Sequence, residues 1–243
     1  MKAKTNFNKF SRWKEETFPN NGPNWSITEA LDDWMHARSR IWERHENHVG
    51  PSGPGVPADD FLQQLTKEVP DLEFMTARRY HLTTAGMPRP PLKDLHMFHQ
   101  DRDKLQTHYH GTRMELLANF LCDGKVVEST GERTRSNIDG FYTMRSNTIY
   151  KAMGYAVVSP VFNNRYLVGA LLECAAVSSN RGGSRAKLDD QYPFAARHVD
   201  VRSVILFAFS VDHMPDMQLY MQERWDPRLE LVLPSTKAPP LVP

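Results

Sequence analysis

The chain has 243 residues, with Lys+Arg 30 against Asp+Glu 29 and a formal net charge of +1. That balance supplies no general electrostatic pull toward nucleic acid or an anionic membrane. Two cysteines, Cys122 and Cys174, argue against a disulfide framework and against a cysteine-based zinc site; both sit in apolar runs and read as buried free thiols.

Met1–Asn8 carries no apolar core of the kind a secretory signal has, and no apolar run approaches the roughly 20 residues needed to cross a bilayer. The expectation is a soluble intracellular protein, cytoplasmic or nuclear, with no membrane partner. Ser26 followed by Glu29 forms a capping box, a helix start signal. Ile27, Ala30, Leu31, Trp34, Met35, Ile41 and Trp42 then recur close to the helical period, so an amphipathic helix with a tryptophan-bearing face is expected around 26–47. That face either packs on the chain's own core or docks a protein partner. Gly50–Pro57 breaks the pattern. Asp59–Glu68 reads as a shorter helix, and Ala85–Pro91 is a second break.

From about Leu105 the texture changes. Leu105–His110 reads as a strand running into a His-Gly-Thr turn, Arg113–Leu121 as a helix, and Gly140–Met144 as a short strand. Asn147–Val158 is helical in pattern. Tyr166–Val177 is a nearly continuous apolar run, as a central strand covered on both faces should be. Ser178–Asp190 is a polar loop, Val199–Ser210 a strand, and Trp225–Leu233 a possible last strand. Pro234–Pro243, with four prolines in ten residues, reads as an extended mobile tail. This order of elements is α+β. The division expected is an N-terminal helical and loop extension over 1–100, a domain over 101–233 and the tail over 234–243.

Three stretches from this region together resemble the poly(ADP-ribose) polymerase-like branch of the ADP-ribosyltransferase fold, marked by a His–Tyr–Glu triad. They are Tyr109-His110-Gly111-Thr112; Gly140-Phe141-Tyr142 with Ser146, Ala152 and Tyr155; and the strand Arg165–Ala175. Tyr142 lies 32 residues after His110, and Tyr155 lies 13 further on. The resemblance covers roughly Leu105–Ser210 and implies a split mixed β-sheet core with an N-terminal helical extension. It implies NAD as a substrate and no metal. His110 would hold a hydroxyl of the adenine ribose. The Gly111 backbone would pair with the nicotinamide carboxamide, a close approach that excludes a side chain. Tyr142 and Tyr155 would sandwich the nicotinamide ring, with Thr112 and Ser146 also lining the site.

The third triad position departs from the pattern. In Asp189-Asp190-Gln191-Tyr192-Pro193-Phe194 the residue in register is Gln191, where the family has a glutamate; a slip of one residue would place Asp190 there. A glutamine keeps a hydrogen bond and loses the negative charge that stabilises an oxocarbenium-like centre. The resemblance thus implies a mono-ADP-ribosyltransferase, a glycosyltransferase without polymer elongation, acting on a protein or nucleic-acid acceptor through His110, Tyr142 and Gln191. The alternative is a pseudoenzyme: a catalytically inactive structural or docking protein of a larger cellular or viral assembly. A tRNA 2′-phosphotransferase shares the fold but would need a basic set, and only Arg113, Arg133, Arg135 and Arg145 are at hand. Four histidines (His96, His99, His108, His110) lie within 15 positions, without a metal motif. His108 shares a strand face with His110 and would flank the same cleft. The loop Arg181–Arg185 is either a phosphate cradle or a solvated loop.

Overall fold

The computed structural model describes residues 26–42, 48–67, 74–83, 105–112, 114–129, 139–156, 159–161, 166–177, 191–196 and 199–224. In chain order they form α1 (Ile27–Trp42), β1 (Val56–Pro57), α2 (Asp59–Thr66), β2 (Thr76–His81), β3 (Leu105–Thr112) and α3 (Met114–Asp123). Next come β4 (Phe141–Arg145), a single 3-10 turn (Ser146–Thr148), α4 (Ile149–Tyr155), β5 (Ser159–Val161) and β6 (Tyr166–Val177). The last elements are β7 (Gln191–Phe194), β8 (Val199–Ser210), a second 3-10 turn (Val211–His213) and α5 (Met214–Arg224). The fold is α+β.

One 8-stranded sheet runs in the order β1-β2-β8-β6-β3-β4-β7, with β5 against β6. Every pairing between described strands is antiparallel, which corrects the expectation of a mixed sheet. Central β6 is flanked along its length by β8 and β3, and its apolar run fills both faces. Leu167 and Leu171 enter a front core with Phe61, Leu65, Tyr109, Met144, Ala152 and Phe207. Val168, Ala170, Leu172 and Cys174 enter a back core with Leu31, Trp34, Met35, Leu117 and Leu121. Helices α2, α4 and α5 therefore cover the front, and α1 and α3 the back. Each large side chain so buried contributes roughly 1.5–3 kcal/mol.

One sequence expectation changes here, and one alternative is decided. The segment before residue 100 is more than a helical and loop extension, because β2 pairs with β8 along its whole length and β1 with β2. The tryptophan-bearing face of α1 is turned inward, with Leu31, Trp34 and Met35 all buried in the back core; this covers the described part of the surface offered for a partner. The capping box forms as expected: the Glu29 amide donates to Ser26 Oγ at 3.2 Å and the Ser26 amide to Glu29 Oε2 at 3.1 Å. Cys174 is buried while Cys122 is only partly so, and both are free. Among the described residues no helix is long and apolar enough to cross a membrane. Trp225–Leu233, the tail, His96, His99 and the loop Arg181–Arg185 lie outside the described residues.

The sheet bends sharply between β3 and β4. By the chain of antiparallel pairings, β7 and β8 run in the same direction. In a flat sheet Phe194 would stand level with Thr112 and Ala170, whereas Val199 stands level with Ala176. They would then be four strand spacings apart, about 19 Å, with a further ~20 Å along the strands. The connection 195–198 reaches at most ~18 Å. The ladder relieves this by breaking: β3 and β4 pair only at His108↔Arg145 and Tyr109↔Met144, and the β4–β7 ribbon turns over the back of β3. The His108 ring accordingly lies 5.3 Å from Tyr192 and 5.1 Å from Phe194, edge to face, where a flat sheet would separate His108 and Phe194 by roughly 16 Å.

The N-terminal elements are tied to this sheet by a polar knot. Asp32 of α1 accepts from the Tyr80 hydroxyl at 2.7 Å and pairs with Arg78 Nη2 at 2.8 Å, and Arg78 also donates to the Gly55 carbonyl. Asp32→Ala strands a half-buried guanidinium and a buried phenol and should cost roughly 2–3 kcal/mol, read as a lower urea midpoint at unchanged m-value.

Candidate functional site at the sheet corner

Where β3 and β4 part, side chains replace the ladder. An in-register continuation would set Gly111 opposite Tyr142; instead His110 Nδ1 lies 2.6 Å from the Tyr142 carbonyl oxygen. A carbonyl only accepts, so Nδ1 carries the proton and Nε2 keeps its lone pair. The ring stacks on Phe141 at 4.1 Å and 29°. Burial pulls the His110 pKa down to about 4, opposed by the bond to Tyr142. The imidazole is therefore uncharged at neutral pH and presents an acceptor at Nε2.

The expected His-Gly-Thr turn is strand through Thr112, because β3 remains paired with β6 up to Thr112↔Ala170. Gly111 is needed for a different neighbour from the one anticipated. A Cβ there would overlap the Ala152 carbonyl and the Ala156 amide, so the glycine admits the backbone of α4 rather than a carboxamide at its Cα. This contact seats α4, and Tyr155 at its end, against β3. Tyr142 is buried and Tyr155 is 41% exposed. Thr112 is buried, and Ser146, opening the 3-10 turn after β4, is exposed. The Ser146 carbonyl accepts from Gln64 of α2.

Gln191 is the first residue of β7, opposite Met144, and Pro193 stands opposite Tyr142; Asp190 lies outside the described residues. Strands β3, β4 and β7 thus carry His110, Tyr142 and Gln191, with Gln191 two residues along the β4–β7 ladder from the pair at Tyr142. The acid on β6 nearest in register, Glu173 opposite Tyr109, is taken up by Arg79 at 3.1 Å and the Tyr109 hydroxyl at 3.3 Å.

His108 shares the back face with His110, yet it does not flank an open cleft. It is 1% exposed. Thr143 Oγ1 donates to the Tyr192 carbonyl at 3.3 Å, so the Thr143 hydroxyl accepts from His108 Nδ1 at 2.9 Å. Burial first, then the nearby Arg145 charge, lowers the His108 pKa to about 4. The Arg145 guanidinium itself lies 4.6 Å from the centre of the Tyr192 ring. Phe141 and Thr143, which hold the two histidines, were missed in the sequence; the two-residue alternation of Gly140–Met144 carries the signal, since it puts them on one face.

No protein-family model matches the sequence, and no curated protein matches it.

Both histidines titrate near 4 when folded against about 6.5 unfolded. Above 6.5 both states are neutral; between 6.5 and 4 the unfolded chain binds protons that the folded chain refuses. Stability should therefore fall as pH drops through that window, by about 1 kcal/mol per pH unit for each histidine, and urea unfolding of His108→Gln should show the slope reduced by one such share. Gly111→Ala should destabilise by roughly 3 kcal/mol or more, because the obstacle is backbone and cannot rotate away; thermal unfolding measures it.

Proposed function

We propose that the chain binds NAD at the corner between β3 and β4 and is a mono-ADP-ribosyltransferase-like protein whose triad is His110, Tyr142 and Gln191. The observation that carries this reading is the His110–Tyr142 bond. It fixes the tautomer, orients the ring and leaves Nε2 free of a proton, so the imidazole can accept from the adenine ribose. The sharp bend of the sheet supports an ADP-ribosyltransferase-like split core. Nicotinamide would lie between Tyr142 and Tyr155, with Thr112 and Ser146 beside it.

In the transfer, the bond from nicotinamide to C1′ of its ribose breaks with its electron pair going to nicotinamide. An acceptor nucleophile on protein or nucleic acid bonds to C1′ and releases a proton. Gln191 would hydrogen-bond the nicotinamide ribose. Lacking charge, it forgoes electrostatic stabilisation that is typically worth about 3–4 kcal/mol in comparable sites, so turnover is slow.

A second reading, a non-catalytic scaffold of the same fold within a larger assembly, is favoured by Gln191 and by the way α4 occupies the Cα side of Gly111.

Calorimetric titration with a non-hydrolysable NAD analogue separates the two. Saturable one-to-one binding, weakened at least tenfold in His110→Ala and Tyr142→Ala, is expected. Gln191→Glu should then raise the rate of nicotinamide release from NAD. No heat at millimolar analogue from folded protein would remove the NAD reading and leave the scaffold.

A further inference from the structure

A second group of chemically able side chains lies on the front face, toward the opposite end of β3 from Gly111. There β2, β8, β6 and β3 floor an open pocket of about 400 Å³ whose lining includes Asp60, Arg79, His81, Thr107, Glu173 and Ser203. That volume falls in the range of small-molecule sites. The strands enforce the grouping: Glu173 pairs with Ser203 and with Tyr109, Thr107 with Ala175, and His81 with Ser203. A register shift between β6 and β8 at Glu173/Cys174 leaves Arg202 as the additional residue of β8, and such bulges re-aim the side chains around them.

The charges in the pocket do not balance. Arg79 is held by both oxygens of Asp60 at 2.8 Å each and by Glu173 Oε1 at 3.1 Å. Two carboxylates thus share one guanidinium, which among the described residues leaves a local surplus of one negative charge. Both terminal nitrogens of Arg79 are engaged, so its guanidinium fork is closed to an incoming carboxylate or phosphate. Among the described residues, the bonds to Glu173 from Arg79 and Tyr109 both end on Oε1, so its Oε2 is left for a donor. Arg202, also in the lining, pairs through Nε with Asp200 just outside it at 3.2 Å, so that three carboxylates face two guanidinium groups. His81 Nδ1 and Ser203 Oγ lie 3.1 Å apart, and the Thr107 hydroxyl supplies another acceptor. A ligand that cancels the surplus must be a cation, and one that uses Oε2 and the hydroxyls must carry N–H donors.

We propose that this pocket binds a small aliphatic amine, holding its primary ammonium on Glu173 Oε2 with the hydroxyls of Thr107 and Ser203 beside it. Asp60, 66% exposed at its side chain, contributes field rather than a direct bond, since both its oxygens face Arg79. This site is independent of NAD binding at the corner.

The test is calorimetry on the full chain at pH 7 and 150 mM salt, with n-butylamine, tetramethylammonium and glutarate as probes. Saturable one-to-one binding of n-butylamine alone is expected. Affinity should fall at least tenfold in Glu173→Gln and about threefold in Asp60→Asn, both checked for folding by circular dichroism. Tetramethylammonium binding as tightly would show that no N–H donor is read and would overturn the proposal. So would glutarate binding, or no heat with n-butylamine. Should Glu173→Gln fail to fold, Thr107→Val takes its place, and unchanged affinity there and in Asp60→Asn overturns the proposal equally.

Discussion

The parting of β3 from β4 after two residue pairs is the constraint from which the corner follows. Strands β7 and β8 run the same way, and four residues join them. A flat sheet cannot satisfy that connection, so the ladder must break and the β4–β7 ribbon must swing over β3. Once it does, backbone groups that a ladder would have used need other partners. The Tyr142 carbonyl takes the His110 imidazole. The same bend places the His110 ring against the Tyr142 backbone, with Pro193 of β7 opposite Tyr142.

Both histidines at the corner stay uncharged because the bend buries them. An imidazolium would have to leave water for an environment of Phe141, Phe194 and Tyr192 rings, and for His108 it would also meet the Arg145 charge. Neutral imidazole instead serves as a compact aromatic with one donor and one acceptor. At His108 the donor closes on Thr143, and replacing that hydroxyl by a methyl group of the same shape would leave a buried N–H unpaired. At His110 the donor closes on a backbone carbonyl, which orients the ring without using another side chain.

How much of this was legible in sequence depended on whether the cause was local. The Ser26–Glu29 box, the apolar run of β6 and the alternation of β8 are local signals, and the helix and both strands lie where they were expected. Strand β2, Thr-Ala-Arg-Arg-Tyr-His, gave no such signal. Its two adjacent arginines point to opposite faces, and each is neutralised by acids far away in the chain: Arg78 by Asp32 and Arg79 by Asp60 and Glu173. Charged residues in a strand read as exposed until their partners are known. Gly111 misled in a related way. A glycine after histidine suggests a turn, whereas here it is a strand residue made small by a helix packed upon it. Helix α5, Met214–Arg224, carries too weak an apolar stripe to be noticed.

Tyr109 stands between the pocket and Gly111 on the front face of β3, whereas the His110 ring lies on the back. Thr107 and Gly111 lie on the same side of β3, about 13 Å apart along the strand, with Tyr109 between them. Its ring is part of the front core and its hydroxyl reaches back to Glu173. The carboxylate that the corner lacks at Gln191 is thus present one strand away, but it is turned from Gly111 by its bonds to Tyr109 and Arg79. Burial beside Glu173 holds the Tyr109 phenol well above its ordinary range, so it stays a donor to that carboxylate throughout the neutral range. Removing Tyr109 would leave Glu173 on Arg79 alone and would also open the front core beneath α4, the helix that ends at Tyr155. The negative charge of Glu173 therefore lies toward one end of β3 while the corner at the other end holds neutral imidazoles, and the packing of Tyr109 stands between them.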